Sequence, residues 1–217
     1  AEVIAPGTVI ISAAGNCNDI TKVVEPVFQK NAGSVYYINL SQDEFKLGGS
    51  SFSQVRNAIG KETPTIKDAA KFKIAFNTLQ KLIKEDRILA GHDISSGGMI
   101  TTLLEMCFSQ QTLGLKIDLT AIAEVDSVKL LFAENSGIIF QSADETVPAI
   151  LTENNIEFFE IGFAHKSDCV TINNFDEILT FNIAELRDVW YDTSYLLDQK
   201  QCANNKALDR YENYKNQ

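Results

Sequence analysis

The chain has 217 residues, of which 45% are hydrophobic and 22% charged, so it can bury one or two globular cores of ordinary composition. Its formal net charge of −10 argues against a nucleic-acid or anionic-membrane surface, because such a surface needs clustered Lys and Arg. No apolar run approaches the roughly 20 residues that a membrane-spanning helix needs. No basic segment followed by an apolar one opens the chain, and we expect a cytoplasmic protein.

The first predicted elements are two strands and a helix. Residues 8–13 and 34–40 are rich in β-branched and aromatic side chains, which favours strands. A short helix is expected over residues 21–30, with Pro26 either in its first turn or breaking it. The chain starts at Ala1 without an initiator Met, which indicates either a piece of a longer protein or removal of that Met.

Two corners rich in glycine and hydroxyl groups precede predicted helices. The first corner lies at residues 47–52 and opens a helix over residues 52–59. Apolar residues then recur at helical spacing over residues 68–85, where Asp68 is a suitable N-cap. A short buried strand is expected at residues 87–90, before the second corner.

Helices and strands also mix in the remainder of the chain. After a helix ending near Gln110, we expect strands at 113–119, 137–141 and 158–163, an edge strand at 170–172, and helices at 127–134, 145–153 and 183–201. The polar residues 204–217 are expected to be poorly ordered unless a partner domain holds them. The pattern indicates an α+β fold with a mixed β-sheet packed with helices.

The second corner has the sequence GHDISSGGM at residues 91–99 and contains candidate ligands for phosphate and metal. A helix opening there would present unpaired N–H groups and a positive dipole end to phosphate. Asp93 is a candidate Mg²⁺ ligand, because Mg²⁺ takes only one or two protein carboxylates beside phosphate oxygens, although a turn residue or helix cap would look the same. Ser95 and Ser96 could donate to phosphate, and one of them is expected to cap the helix.

Other candidate groups point to less specific chemistry. Gly48, Gly49 and Ser50 form a weaker phosphate-site candidate, since any tight turn into a helix has similar residues. His92 could be a general base or a ligand, but a lone His at a strand end is more often a structural residue that forms a hydrogen bond. Four cysteines, Cys17, Cys107, Cys169 and Cys202, are too widely spaced for a zinc knuckle or a compact disulfide framework and are expected to be reduced, mostly buried thiols. The motifs of self-contained kinases, dehydrogenases and hydrolases are missing from the sequence.

Four segments resemble, in order, motifs of the phosphoribosylformylglycinamidine synthase family. They are LGGSSFSQ at 47–54, HDISSGG at 92–98 with LLEM at 103–106, LFAENSG at 131–137, and WYDTSY at 190–195 with Cys202-Ala203. The resemblance covers most of the chain. It implies a domain similar to the C-terminal domain of aminoimidazole ribonucleotide synthetase, the second such domain of the large, glutamine-dependent enzyme, with a sandwich of mixed sheet and helices.

The same resemblance implies the reaction and the domain arrangement. In this family ATP activates the formamide oxygen of formylglycinamide ribonucleotide, and ammonia from glutamine displaces it in a step of de novo purine biosynthesis. We expect residues 1–182 to form the synthetase-like domain and residues 183–217 a terminal helix and tail that link to the next domain. Partners would be the synthetase N-terminal-like domains, the glutaminase domain and a nucleotide, with no nucleic acid and no membrane.

By position, the resemblance assigns Mg²⁺ binding to Asp93 and nucleotide contact to Ser95, with Mg²⁺ and ATP or ADP as cofactors. No residue of this chain is assigned to catalysis, and the isolated fragment is expected to be inactive. Ser96 stands where the family commonly has Asp, which removes one carboxylate. Two alternatives stay open: a structural or interaction domain without its own ligand, and a related superfamily member such as aminoimidazole ribonucleotide synthetase. The predicted helix before His92 and the ending at residues 190–203 argue against the second.

Overall fold

The protein folds around one mixed β-sheet. The computed structural model describes residues 11–12, 14–17, 19–110, 112–203 and 205–213. Within them the strands are β1 (Ser34–Asn39), β2 (Ala90–Asp93), β3 (Gly114–Asp118), β4 (Gly137–Ser142), β5 (Phe159–His165), β6 (Cys169–Asn174) and β7 (Glu177–Asn182). Their order in the sheet is β2-β4-β1-β5-β3-β6-β7, and all neighbours are antiparallel except β3 and β6. The predicted α+β class is confirmed.

Helices cover both faces of this sheet. Their bounds are α1 (Ser51–Val55), α2 (Ala69–Lys84), α3 (Gly98–Phe108), α4 (Ser127–Phe132), α5 (Val147–Glu153), α6 (Ile183–Gln201) and α7 (Lys206–Asn213). Side chains of α3 and α4 pack in one core cluster, and those of α2 and α5 pack in the other. No helix among the described residues is long and apolar enough to cross a membrane.

Strand β1 separates the two cores, because successive side chains of a strand point to opposite faces. Val35 and Tyr37 lie in the cluster with α3, whereas Tyr36 and Ile38 lie in the cluster with α2. All four side chains are at least 95% buried. This double burial explains why the strand reads as a continuous apolar and aromatic run in the sequence.

Helix α2 and its N-cap agree with the prediction. Asp68 accepts hydrogen bonds from the N–H groups of Ala70 and Lys71, at 2.9 and 3.0 Å. Leu79 and Leu82, two of the apolar residues at helical spacing, are buried against the sheet, whereas Ile74 is exposed. Local capping and one amphipathic stripe were therefore sufficient to predict this element.

The helix expected at residues 21–30 is wrong. Only a short 3-10 helix, Ile20–Lys22, forms there. The backbone that follows bonds to distant groups instead: Glu25 accepts from the Gly91 N–H, and the Phe28 N–H donates to Met106. Tertiary pairing thus satisfies this backbone in an extended path, which Pro26 tolerates because it has no N–H to lose. The strand expected at 8–13 falls largely outside the described residues.

Strand β2 lies three residues further along the chain than expected. The prediction placed it at 87–90, but Ala90–Asp93 pairs with β4, with Asp93 opposite Ile138. Helix α1 likewise ends at Val55, short of the expected Ile59. Asp93 is therefore the last residue of a strand, held by the sheet, and the corner that follows begins at Ile94.

Strand β6 is not the edge strand that was expected. It pairs in parallel with β3 and antiparallel with β7, a strand that the sequence analysis missed. The burial of Val170 and Ile172 fits this interior position. Glu177–Asn182, which forms the true edge, is more exposed and shows a weaker alternation.

The terminal segment is more structured than its polar composition indicated. Helix α6 matches the prediction, and its first residue, Ile183, is buried in the core. Beyond it, α7 packs against α6 through stacked rings of Tyr195 and Tyr211, whose centroids lie 4.4 Å apart. An ion pair of 2.8 Å joins Arg210 to Asp198. The expected disorder is thus wrong for the described part of this tail.

Asp43 anchors the loop between β1 and α1. Its carboxylate is 2.9 Å from Lys46 Nζ and 3.3 Å from Lys67 Nζ, and it accepts the Thr65 N–H at 2.9 Å. Burial by itself raises the pKa of Asp43, but hydrogen bonds from Lys46, the Thr65 N–H and Lys67 outweigh it and hold that pKa well below its ordinary value. The charged form therefore stabilises the fold.

We predict that Asp43→Asn lowers the free energy of unfolding at pH 7 and that the difference from wild type narrows as the pH falls. A lowered folded-state pKa stabilises the fold above the unfolded value of about 3.9 and ceases to do so as the pH drops through the folded value. Urea unfolding at pH 7 and at intervals below about pH 4 measures this. Asp192→Asn, at an exposed site on α6, is the control. An unchanged difference at all pH values would contradict the prediction.

Candidate functional site

Asp93 combines a fixed backbone with an exposed carboxylate. Its carbonyl accepts from Thr102 Oγ1 at 3.2 Å, and the next N–H, that of Ile94, donates to Gly137 at 2.9 Å. The side chain is 77% exposed, with His92 Nδ1 3.4 Å from its Oδ1. A carboxylate held in this way at a strand end can meet a ligand without moving the fold.

Glycine is required in the turn that follows Asp93. Gly97 and Gly98 have φ angles of 91° and 75°, in the left-handed region. A Cβ on Gly97 would lie 2.2 Å from Thr101 Oγ1, and one on Gly98 would lie 2.6 Å from the Leu131 carbonyl oxygen. The two glycines let the turn pack directly against its neighbours.

The predicted serine cap of helix α3 is wrong. The N-cap is Gly97, which has no side chain with which to cap the helix. Ser95 and Ser96 are both exposed beside Asp93, and the Ser95 carbonyl accepts the Gly98 N–H at 3.1 Å. The hydroxyls face solvent and are not used to cap the helix, which leaves Ser95 accessible to a ligand.

The first corner uses its backbone donors internally. The N–H groups of Gly48, Gly49 and Ser50 donate to Glu62, Ile59 and Leu47, at 2.9, 2.7 and 3.1 Å. The Ser50 hydroxyl donates to the Leu47 carbonyl at 2.7 Å, and the residue is only 2% exposed. A phosphate at this corner would have to replace one of these hydrogen bonds, so the phosphate role of the three residues stays a prediction.

Glu134 joins the two corners. One oxygen of its carboxylate, Oε1, accepts the Ser51 N–H at the start of α1 and the Gly97 N–H at the start of α3, both at 2.8 Å. The rings of Phe52 and Phe132 pack beside this bridge, with centroids 4.8 Å apart. Glu134 lies in the motif segment at 131–137, but no role was predicted for it; its signal was an acidic residue between an apolar helix and a strand.

Two motifs that are distant in the sequence meet beside His92. Trp190 Nε1 donates to Glu105 Oε1 at 3.0 Å, and Glu105 Oε2 is 3.8 Å from His92 Nε2. His92 Nδ1 lies 2.7 Å from the Asp93 carbonyl oxygen, which can only accept, so Nδ1 carries the proton. Helix α6 is thereby joined to α3, whose Glu105 lies beside the strand that ends at Asp93.

Asp93 is the only candidate carboxylate metal ligand of the second corner among the described residues. In the part of the chain that the structure describes, no three or more His, Cys, Asp or Glu side chains gather into a metal-binding group. Mg²⁺ often binds one protein carboxylate together with phosphate oxygens and water, and Asp93 could be that carboxylate. Further ligands would have to come from outside these residues.

Cysteine chemistry is not part of this region. Cys17, Cys107, Cys169 and Cys202 are free in the structure, but the expectation that most of them are buried is wrong, because only Cys107 is buried. Cys107 lies in the core, where burial raises the pKa of its thiol to about 12. A thiol with so high a pKa is a poor nucleophile at neutral pH.

We predict that Glu134→Ala lowers the free energy of unfolding by about 2 kcal/mol, because two part-buried N–H groups lose a charged acceptor. Glu134→Gln keeps an acceptor oxygen and should lower it by about half as much. Chemical denaturation of each variant measures the change, with the exposed Glu145→Ala as control. Equal stability of Glu134→Ala and wild type would show that the bridge does not stabilise the corners.

Comparison with known proteins places the chain in a family. Residues 37–172 match the family described as AIR synthase related protein, C-terminal domain. The chain is 32% identical over 208 residues to phosphoribosylformylglycinamidine synthase of Homo sapiens. It is 33% identical over 206 residues to the probable chloroplastic/mitochondrial phosphoribosylformylglycinamidine synthase of Arabidopsis thaliana. Each match covers 91% of this chain, which spans only 15% and 14% of the respective relatives.

Solved structures share the fold. T. maritima PurL complexed with ATP superposes with a TM-score of 0.56 and 11% identity, over 77% of this chain and 28% of that one. PurLQS from Thermotoga maritima gives a TM-score of 0.57 and 10% identity, with the same coverage. The sheet with its covering helices is thus a fold already seen in those proteins. Because the matched segment covers most of β1 to β6 and includes both glycine corners, the chain belongs to the family of AIR synthase related proteins, as a C-terminal domain of that kind.

Proposed function

We propose that this chain is part of an ATP-dependent ligase that converts formylglycinamide ribonucleotide, glutamine and ATP to formylglycinamidine ribonucleotide in de novo purine biosynthesis. The observation that carries the proposal is the identity of 32–33% over 91% of the chain to two enzymes named phosphoribosylformylglycinamidine synthase. The exposed corner at Asp93 supports it, since a nucleotide needs a place for its metal and phosphates.

Asp93 is proposed as a Mg²⁺ ligand and Ser95 as a donor to the nucleotide. The carboxylate of Asp93 is exposed, and its backbone is held from both sides, so it can bind a metal with little reorganisation. The Ser95 hydroxyl is exposed two residues further along and can donate to a phosphate oxygen. Bound Mg²⁺ would neutralise phosphate charge, and Asp93 would fix where that charge lies.

Gly48, Gly49 and Ser50 remain the weaker phosphate candidates. Their N–H groups and the Ser50 hydroxyl donate within the chain, so they can serve phosphate only after a local rearrangement. Ser96 is also exposed and lacks the carboxylate common at this position in the family. Asp93 is then the one carboxylate that the second corner offers.

The rest of the site is proposed to come from neighbouring domains of a longer cytoplasmic protein, including synthetase N-terminal-like domains and a glutaminase domain. The chain spans only 15% of the human relative, which supports a multidomain parent. Residues 1–182 would be the synthetase-like domain, and residues 183–217 would lead to the next one. Helix α6 packs on this domain through Ile183, Leu186 and the Trp190–Glu105 hydrogen bond, so the linker would begin beyond α6.

We predict that Asp93→Asn in the full-length protein weakens Mg²⁺-dependent ADP binding at least tenfold and leaves the unfolding temperature unchanged. The first effect follows from loss of an anionic metal ligand. The second follows from the 77% exposure of the side chain. Calorimetric titration of ADP with and without Mg²⁺ measures the affinity, and a thermal unfolding curve measures the unfolding temperature.

The control for this experiment is Asp176→Asn, an exposed acid in the turn between β6 and β7. Ser95→Ala should weaken ADP binding less than Asp93→Asn, because it removes one neutral donor. Unchanged ADP affinity in Asp93→Asn would favour the second candidate function, a structural or interaction domain without its own ligand. The Trp190–Glu105 hydrogen bond, which joins α6 to α3, is the observation that favours this second candidate, because it serves helix packing and no ligand.

We also predict that the isolated 217-residue chain binds Mg²⁺-ADP weakly or undetectably and does not turn over formylglycinamide ribonucleotide. A single carboxylate beside phosphate oxygens holds Mg²⁺ poorly when its other ligands are missing. Calorimetry and an ATP-hydrolysis assay on the isolated chain test this, with the full-length protein measured alongside. Turnover near that of the full-length protein would show that the site is complete within this chain.

A further inference from the structure

The imidazole of His92 lies directly beside the side chain of Asp93. Its Nδ1 atom is 2.7 Å from the Asp93 carbonyl oxygen and 3.4 Å from the carboxylate oxygen Oδ1. The His92 side chain is 24% exposed, whereas that of Asp93 is 77% exposed. A partly buried ring therefore lies against a carboxylate that is open to solvent.

The Asp93 carboxylate has no other polar partner among the described residues. Pairing with β4 and the hydroxyl of Thr102 hold the backbone of Asp93. The carboxylate oxygens accept no hydrogen bond within that part of the chain, and the contact with His92 is their one ion-pair distance below 4 Å. A side chain whose directions are already restricted loses less rotational freedom when it binds a metal, so this contact bears on metal affinity.

The nitrogen of His92 that faces Asp93 is a donor. Because the carbonyl oxygen can only accept, Nδ1 carries the proton, and it has no lone pair for a metal that Asp93 binds. The same N–H group attracts the negative Oδ1. At 3.4 Å this contact is longer than an ordinary hydrogen bond but short enough for attraction between a dipole and a charge.

Glu105 lies on the other side of the His92 ring. Its Oε2 atom is 3.8 Å from Nε2, and its Oε1 atom accepts from Trp190 Nε1 at 3.0 Å. That hydrogen bond packs α6 on α3 and leaves Oε2 facing the ring. The backbone of His92 is held in β2, opposite Ile139. The ring is thus confined between the Asp93 carbonyl and Glu105.

We infer that His92 is a positioning residue for the metal ligand Asp93. Its Nδ1–H group keeps Oδ1 on the side of the ring and leaves Oδ2 for Mg²⁺. The inference rests on the proposed Mg²⁺ role of Asp93 and adds a group that does not touch the metal. Groups that orient metal ligands in this way raise metal affinity.

The test is calorimetric titration of ADP into the full-length protein, with and without Mg²⁺, for wild type, His92→Leu and His92→Asn. Leu removes the donor, whereas the amide of Asn has an N–H group close to the position of Nδ1. We expect His92→Leu to weaken Mg²⁺-dependent ADP binding about three- to tenfold, a small effect for such a group because the contact is partly exposed. His92→Asn should recover most of this affinity, and ADP affinity without Mg²⁺ should not change.

Two further measurements separate positioning from a general effect on the fold. His165→Leu is the matched control, because His165 ends β5 opposite Gly114 and its ring contacts Phe163. It should leave both affinities unchanged. His92→Leu is also combined with Asp93→Asn, where it should cause no further loss, because His92 acts through the carboxylate that this background lacks.

The positioning role is overturned by an unchanged Mg²⁺-dependent affinity in His92→Leu, or by a loss that His92→Asn does not recover. A loss of equal size without Mg²⁺, in His165→Leu or in the Asp93→Asn background also overturns it. If Asp93→Asn binds Mg²⁺-ADP as wild type does, the metal role fails and this inference fails with it. If Asp93→Asn binds weakly and His92→Leu binds normally, the positioning role alone fails.

Discussion

The double hydrogen bond that Glu134 accepts is the constraint on which the arrangement of the site depends. It fixes the start of α1 and the start of α3 to one carboxylate oxygen, at 2.8 Å each. Helix starts attract anions, and here the anion is part of the chain. The corners can therefore form without a bound phosphate, and the polar side chains that the second corner leaves exposed are those of Asp93, Ser95 and Ser96.

The parts of the fold that the sequence predicted are those set by local physics. Strand β1 is aromatic and β-branched throughout, and α2 combines an Asp68 cap with an amphipathic stripe, so both were placed within a residue or two. The helix predicted at residues 21–30 does not form, because the backbone there makes hydrogen bonds to Met106 and Gly91, far along the chain. Strand β7 was missed because it is an exposed edge whose alternation is weak. Local patterns contain no information about such partners.

The residues of the candidate site also fall into those that the sequence predicted and those that it did not. Asp93 and Ser95 were found because they lie within one short corner of recognisable chemistry. Glu134 could not be assigned, since its partners Gly97 and Ser51 are 37 and 83 residues away. The Trp190–Glu105 hydrogen bond joins residues that are 85 positions apart and likewise could not be predicted. Contacts between separate motifs come from the sheet order, which a single sequence does not reveal.

Because Asp93 is exposed, the stability of the fold does not depend on a ligand at this residue. In structural metal sites the ligands converge within one fold, and metal affinity becomes folding free energy. Here the described residues hold no such cluster, and Asp93 is 77% exposed, so the fold does not depend on a metal at this position. The sheet and the Thr102 hydrogen bond instead keep the carboxylate where a ligand can reach it. The proposed role in a site shared with neighbouring domains needs this property, because the group that this chain would contribute is then held by the fold itself.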